Sequence, residues 1–167
     1  MIRRAAFLLV AATFAGASFA ADDAQLKWVF ASRGHIPKGS LAAGRDTDGK
    51  PFYACRAKLA NGAELPGKIR EPQIGCTIVY GGIEWTLAAY QVLHDGGDKL
   101  GRWAAASGVP KGAWEVGREA DGRTVYLCRA KHGDGSTPVG RTSDATCVYG
   151  ADGKEAQAVA FEVLVKP

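Results

Sequence analysis

Past its first twenty residues the chain shows no long apolar stripe of helical period. Apolar side chains come instead in short runs bounded by glycine-rich turns. Leu41 and Ala43, then Phe52, Tyr53 and Cys55, flank the dipeptide Asp48–Gly49; Trp114–Val116 and Val125–Leu127 flank Asp121–Gly122 in the same way. Each reads as a β-hairpin, and the Asp-Gly pair predicts a type I′ turn, whose two central residues need positive φ. Period-two alternation sets Tyr53, Cys55 and Ala57 on one strand face and Phe52, Ala54 and Arg56 on the other. Thr77–Tyr80 and Ala89–Leu93 add short β-prone runs. With 22 glycines and many turn pairs, the pattern predicts an all-β fold in sandwich-like antiparallel sheets.

The hairpin pattern occurs twice because the sequence does. PKGSLAAGRDTDGKPFYACRAK at 37–58 and PKGAWEVGREADGRTVYLCRAK at 110–131 agree at 12 of 22 positions without a gap. Trp28 has its counterpart in Trp103, and Gly67–Lys68 in Gly140–Arg141, the latter pair 73 residues apart. Cys76, Glu84 and the run ending at Leu93 match Cys147, Glu155 and the run ending at Leu164 at an offset of 71. Two copies are too few for a solenoid. A pseudo-two-fold packing, each copy covering the other's apolar face, is the natural arrangement. The copies span 21–94 and 103–167, and the polar, glycine-rich DGGDKLGR gives a connector over 95–102.

Residues 1–20 stand outside this pattern. Arg3 and Arg4 precede an apolar run ending in small residues, with Ser18 and Ala20 at the −3 and −1 positions of a bacterial-type cleavage site. The expectation is a cleaved signal peptide, a periplasmic or secreted protein and no stable membrane insertion. Removing Arg3 and Arg4 takes the balance of 21 basic and 17 acidic side chains to 19 and 17. No clustered basic stripe remains to suggest nucleic-acid binding. An exported chain permits disulfides, and Cys55, Cys76, Cys128 and Cys147 allow three pairings. Repetition favours Cys55–Cys76 with Cys128–Cys147, one bridge per copy.

The polar positions of the repeat offer the candidate chemistry. Asp46 and Asp48 lie at the hairpin turn and Lys68 follows about twenty residues on; Glu119, Asp121 and Arg141 occupy the matching places. A carboxylate and a cation held together can grip the vicinal hydroxyls of a sugar through charge-assisted hydrogen bonds. Solvated turn aspartates and a surface lysine are the plainer reading of the same residues.

Trp28, Gly34, Pro37, Ala43–Gly44, Asp46, Asp48–Gly49, Tyr53, Arg56–Ala57, Pro66–Lys68, Tyr80–Gly82, Glu84 and Tyr90–Leu93 together resemble the DM-nine repeat family. The resemblance covers the chain beyond the leader as a tandem pair. It implies an all-β fold and, as in characterised animal members, calcium-independent recognition of mannose-type glycans through the residues matching Asp46 and Lys68. The second copy departs: Glu119 and Arg141 replace Asp46 and Lys68, PVGR reads one residue longer than PGK, and YGADGKE reads longer than YGGIE. Single sites of this kind bind weakly, so avidity would call for both copies or a homodimer.

Other chemistries find less support. Asp46-x-Asp48-Gly49 opens like a calcium loop but lacks the further oxygen ligands and the distal glutamate. The histidines His35, His94 and His132 are scattered and no cysteine pair has metal-binding spacing, so no metal or cofactor is expected. No nucleophile elbow or phosphate loop is present. Asp46 with Glu84, and Glu119 with Glu155, are the carboxylate pairs a glycan hydrolase would use, but two degenerate copies of a site suit a binder better than an enzyme. Trp28 and Trp103 read as core anchors, whereas Trp85 and Trp114, without aromatic counterparts, are the ones to consider for sugar stacking. Arg56 and Arg129, beside the cysteines, read as structural hydrogen-bond donors. A cell-envelope structural or protein-interaction module is the competing functional class.

Overall fold

The computed structural model describes residues 25–97 and 100–167; the expected signal peptide at 1–20 and residues 98 and 99 of the connector lie outside the described residues. Among the described residues, fourteen strands follow one another: β1 (Trp28–Ser32), β2 (Ala42–Arg45), β3 (Pro51–Lys58), β4 (Glu64–Ile69), β5 (Cys76–Tyr80), β6 (Ile83–Leu87) and β7 (Ala89–Leu93), then β8 (Arg102–Ala106), β9 (Glu115–Arg118), β10 (Thr124–Arg129), β11 (Val139–Thr142), β12 (Cys147–Ala151), β13 (Lys154–Ala158) and β14 (Phe161–Val165). Every strand pairing is antiparallel. The all-β expectation holds, with the strands joined in one hydrogen-bonded network.

The strand order is β1-β7-β3-β4-β5-β6-β13-β12-β11-β10-β14-β8, with β2 beside β3 and β9 beside both β10 and β4. Replacing each strand by its counterpart seven places on reverses the order, as a pseudo-two-fold axis between β6 and β13 requires. Contacts across the axis come in matched pairs. The Glu84 N–H donates to the Gly153 carbonyl at 3.1 Å, and the Glu155 N–H donates to the Gly82 carbonyl at 3.0 Å. Arg45 bridges Thr137 as Arg118 bridges Glu64. At this second seam the backbones close to contact: a Cβ on Gly44 would overlap the Thr137 carbonyl, and one on Gly117 the Glu64 carbonyl. The glycine of the repeated hairpin is therefore a packing requirement between copies.

Three apolar clusters follow from the alternation along β3 and β10. Phe52 and Ala54 face a central cluster with Val116, Val125, Leu127 and Leu164, built from both copies. Cys55 and Ala57, on the opposite face of β3, join a cluster with Leu65, Ile69 and Ile78 within the first copy. Cys128 and Ala130 do likewise with Tyr149 and Val163 in the second. Both faces of the two central strands are covered, which gives the fold its layers. Each fully buried Leu or Ile contributes about 1.5–3 kcal/mol. The disulfides are Cys55–Cys76 and Cys128–Cys147, one in each outer cluster.

Arg56 and Arg129 tie the copies together. The Arg56 guanidinium lies 4.3 Å from the Trp28 ring centroid and donates to the Gln91 side chain and to the Val116 carbonyl of the other copy. Arg129 lies 4.3 Å from Trp103 and donates to Glu162 and to the Ala43 carbonyl. Trp28 and Trp103 pack on the central cluster as half-buried platforms. Trp114 is only 6% exposed and its indole N–H donates to the Leu100 carbonyl, so it belongs to the framework and not to a sugar-stacking surface.

Two turn readings are corrected. The Asp48–Gly49 and Asp121–Gly122 hairpins are three-residue loops: the Gly49 N–H donates to the Asp46 carbonyl and the Asp46 N–H to the Lys50 carbonyl, and only the glycine has positive φ. The I′-like pairs of positive φ lie at Gly81–Gly82 and Asp152–Gly153, which close β5–β6 and β12–β13. These turns are equivalent and equal in length, so YGADGKE carries no insertion relative to YGGIE. PVGR likewise has no extra residue: Val139 pairs with Arg129 as Pro66 pairs with Arg56.

Candidate functional site

Lys68 enters the site from β4, a strand buried along most of its length, and is itself only 8% exposed. Its ammonium donates to the Gly150 carbonyl of the second copy and lies 3.1 Å from Glu84 Oε1. Glu84 comes from β6, and its Oε2 accepts the Gly153 N–H at 2.8 Å. A pair from one copy is thus seated on the β12–β13 turn of the other. Gly150 makes the room, since any Cβ there would overlap the Glu84 carboxylate. Oε1 is buried without a hydrogen-bond partner although Lys68 is beside it. The ammonium sits off the hydrogen-bonding line, so the contact is an ion pair.

Asp46 and Lys68 line the same cleft of about 300 Å³, together with Glu84, Asp134, Ser136 and Asp152. They do not pair with each other. Asp46 Oδ1 accepts the Thr47 N–H at 2.7 Å, and Oδ2 lies 2.6 Å from the Arg70 guanidinium. Arg70 also meets Asp48, at 3.0 Å. Asp48 is exposed at the rim; the Lys50 N–H, and after it Arg70, hold its carboxyl below the usual carboxylate range. Thr77 and Thr86, hydroxyls 3.3 Å apart, add to a wall that is almost wholly polar.

The corresponding place in the second copy is closed by its own side chains. Arg141 Nε donates to Glu119 Oε1 at 2.6 Å and Nη1 to the Val79 carbonyl at 2.8 Å, with side chains only 12% and 15% exposed. The guanidinium therefore reaches across to the carboxylate that Lys68 leaves to Arg70 in the first copy. Asp121 is exposed and pairs with Arg123 within its own turn, which lowers its carboxyl's proton affinity. Glu155 accepts from Gln157 instead of meeting Arg141.

Arg70, Gln73, Asp134, Ser136, Gly150 and Asp152 were not singled out by sequence. Two signals pointed to Arg70 and Gln73 alone. Arg70 follows Lys68 by two residues, the spacing of one strand face. The drop in repeat offset from 73 to 71 marks the loop 70–75 as two residues longer than its counterpart, and that loop supplies both Arg70 and Gln73. The second-copy residues reach the cleft only through the pseudo-two-fold packing. Trp85, half exposed on the face of β6 opposite Glu84 and Thr86, does not line it.

Comparison with known proteins agrees with this architecture. A search of curated protein sequences finds no match. Among solved structures, the crystal structure of the nematode sperm cell motility protein MFP2B is similar in fold, with a TM-score of 0.55 at 15% identity over 84% of this chain. The chain spans 43% of that protein's length. The family profile of the DM9 repeat (the DM-nine repeat) matches residues 17–85 and 59–158, two overlapping segments that cover most of the sequence. The chain belongs to the DM9 repeat family.

Proposed function

We propose that the chain is an exported carbohydrate-binding module that holds a mannose-type glycan, without calcium, in the cleft between its copies. The observation that supports this most directly is the Lys68–Glu84 pair, an ammonium 3.1 Å from a carboxylate, in the polar wall of a cleft to which both copies contribute. A cation and carboxylates on one wall suit neighbouring sugar hydroxyls, which both accept and donate. Asp46, fixed by Arg70, adds a second carboxylate to the same wall. The cleft volume falls at the lower end for ligand sites, room for about one sugar ring.

The role is binding without turnover. Asp46 is held by Arg70 and Glu84 by Lys68, an arrangement suited to fixed acceptors rather than to proton transfer. Export agrees with the two disulfides and with the lack of any helix long and apolar enough to cross a membrane among the described residues. In this reading the second copy, with Glu119 and Arg141 paired to each other, is a support and not a second site.

A glycan array followed by calorimetry with mannotriose tests the reading. Lys68→Ala and Glu84→Gln should each weaken binding about tenfold or more, and Arg141→Ala should leave it within about twofold. A wild-type protein that binds no glycan, or Lys68 and Glu84 variants that bind as well as wild type, would sink the proposal in favour of a protein-interaction module.

A further inference from the structure

Cavities of about 410 Å³ and 620 Å³ occupy equivalent places in the two copies. The first is lined by Arg56, Lys58 and Tyr90, the second by their counterparts Arg129, Lys131 and Phe161. The larger also takes in Arg45, Pro51 and Thr137. Each of these is a chain neighbour of a residue lining the sugar cleft: Asp46, Phe52 and Ser136. Neighbouring side chains on extended backbone point to opposite faces, so this cleft lies behind the sugar cleft, across the same wall.

The two cavities differ at one informative position. In the first copy, Glu64 places a carboxylate oxygen 3.2 Å from Arg56 Nη1, while the Gln91 amide oxygen accepts from Nε. In the second copy Thr137 stands where Glu64 does, and among the described residues the Nη1 edge of Arg129 meets only the Ala43 carbonyl, at 3.3 Å. Glu162 compensates at the other edge, 2.7 Å from Nε. Arg45 donates to its own hairpin at the Gly49 carbonyl, and neither Arg45 nor Lys131 meets a carboxylate among the described residues. The cleft thus gathers three cations against one carboxylate, with its central guanidinium fixed over Trp103.

From this we infer that the cleft at Arg129, Lys131, Arg45 and Thr137 is a binding site for a carboxylate-bearing small ligand, such as a uronate saccharide. The Glu64–Arg56 contact is the internal pattern for it: a carboxylate from outside takes at Arg129 the place that Glu64 takes at Arg56. A planar guanidinium already oriented by a ring and a hydrogen-bonded carboxylate gives up little freedom on binding. Arg45 and Lys131 add charge, and the Thr137 hydroxyl adds a donor. This site is independent of the sugar cleft and of the reading proposed for it.

Calorimetric titration of the full chain with trigalacturonate, and separately with succinate, tests the inference. Wild type should bind one trigalacturonate per chain. Thr137→Glu, which restores the first copy's arrangement at a position where its twin already holds glutamate, should weaken binding about tenfold or more, and Thr137→Gln should not. Glu64→Thr should raise the stoichiometry from one to two. Equal binding of succinate assigns the site to the carboxylate alone; trigalacturonate binding without succinate binding assigns it to the acidic sugar. Lys68→Ala should change neither titration, which separates failure here from failure at the sugar cleft. The inference is overturned if no carboxylate binds saturably, if Thr137→Glu binds as well as wild type, or if Glu64→Thr gains no second site.

Discussion

Gly150 of the second copy lies against the carboxylate of Glu84 in the first, so closely that no side chain can stand at position 150 while Glu84 keeps its place. The backbone carbonyl of the same glycine receives the Lys68 ammonium. One residue without a side chain therefore sets both the acceptor and the donor of the cleft. Gly150→Ala is expected to push the carboxylate out and cost about 1–3 kcal/mol, the usual range for overpacking. Urea denaturation would measure the loss, and glycan affinity should fall with it.

The Lys68–Glu84 pair is mostly buried, with side chains 10% and 17% exposed. Removing the lysine alone leaves a carboxylate without its cation. Lys68→Met should cost about 3 kcal/mol, the low end for breaking a buried pair. The double variant Lys68→Met, Glu84→Gln should recover part of that, since the uncompensated charge is gone. A double-mutant cycle by urea denaturation gives the coupling, and strictly additive costs would contradict the pairing.

Each disulfide closes a short loop, with sequence separations of 21 and 19. Replacing Cys55 and Cys76 by alanine should cost about 3 kcal/mol, and the Cys128 and Cys147 pair about the same. Thermal melts of the two double variants should fall by similar amounts. A difference of more than about twofold would show that the copies are not equally dependent on their bridges.

Asp48, Asp121 and Asp134 have carboxyls held below the ordinary value of 3.8 by hydrogen bonds from Lys50, Arg123 and Ser136 respectively. A depressed folded-state pKa adds stability that is complete above the unfolded value and lost as pH falls through the folded one. Through these groups, stability should be level above about pH 5 and decline below about pH 4. All three are exposed, so salt should blunt the effect. Urea midpoints at a series of pH values, with Asp134→Asn as comparison, would show it.

The strands and the duplication were legible because the residues that carry them answer to local rules. Alternation along 51–58 separates the two apolar faces of β3, and the same residues recur along β10. Asp46 and Lys68 were legible as charges worth noticing, but their partners were not. Glu84 pairs along the sequence with Asp46 as a second carboxylate, yet its contact is Lys68. Asp46 turns to Arg70, which sits in a loop that the second copy shortens. Asp134 and Asp152 belong to the other copy, and no spacing along the chain reveals a juxtaposition made by packing. The turn type failed for a related reason. Asp-Gly suits both a two-residue loop and a three-residue loop with a glycine bulge, and the flanking strands decide between them.

The reciprocal contacts across the pseudo-two-fold axis carry one more consequence. Arg56 to Val116 and Arg129 to Ala43 are the same bond made in each direction, as two separate single-copy chains would make it in a symmetric dimer. In such a dimer every substitution alters both clefts at once, and neither can be given up without the other. Covalent linkage lifts that tie. One cleft can then stay open around a lysine while its twin is plugged by an arginine, and Glu64 can sit on one guanidinium while Thr137 leaves the other available. The linked chain can give different shapes and charges to places that began as copies.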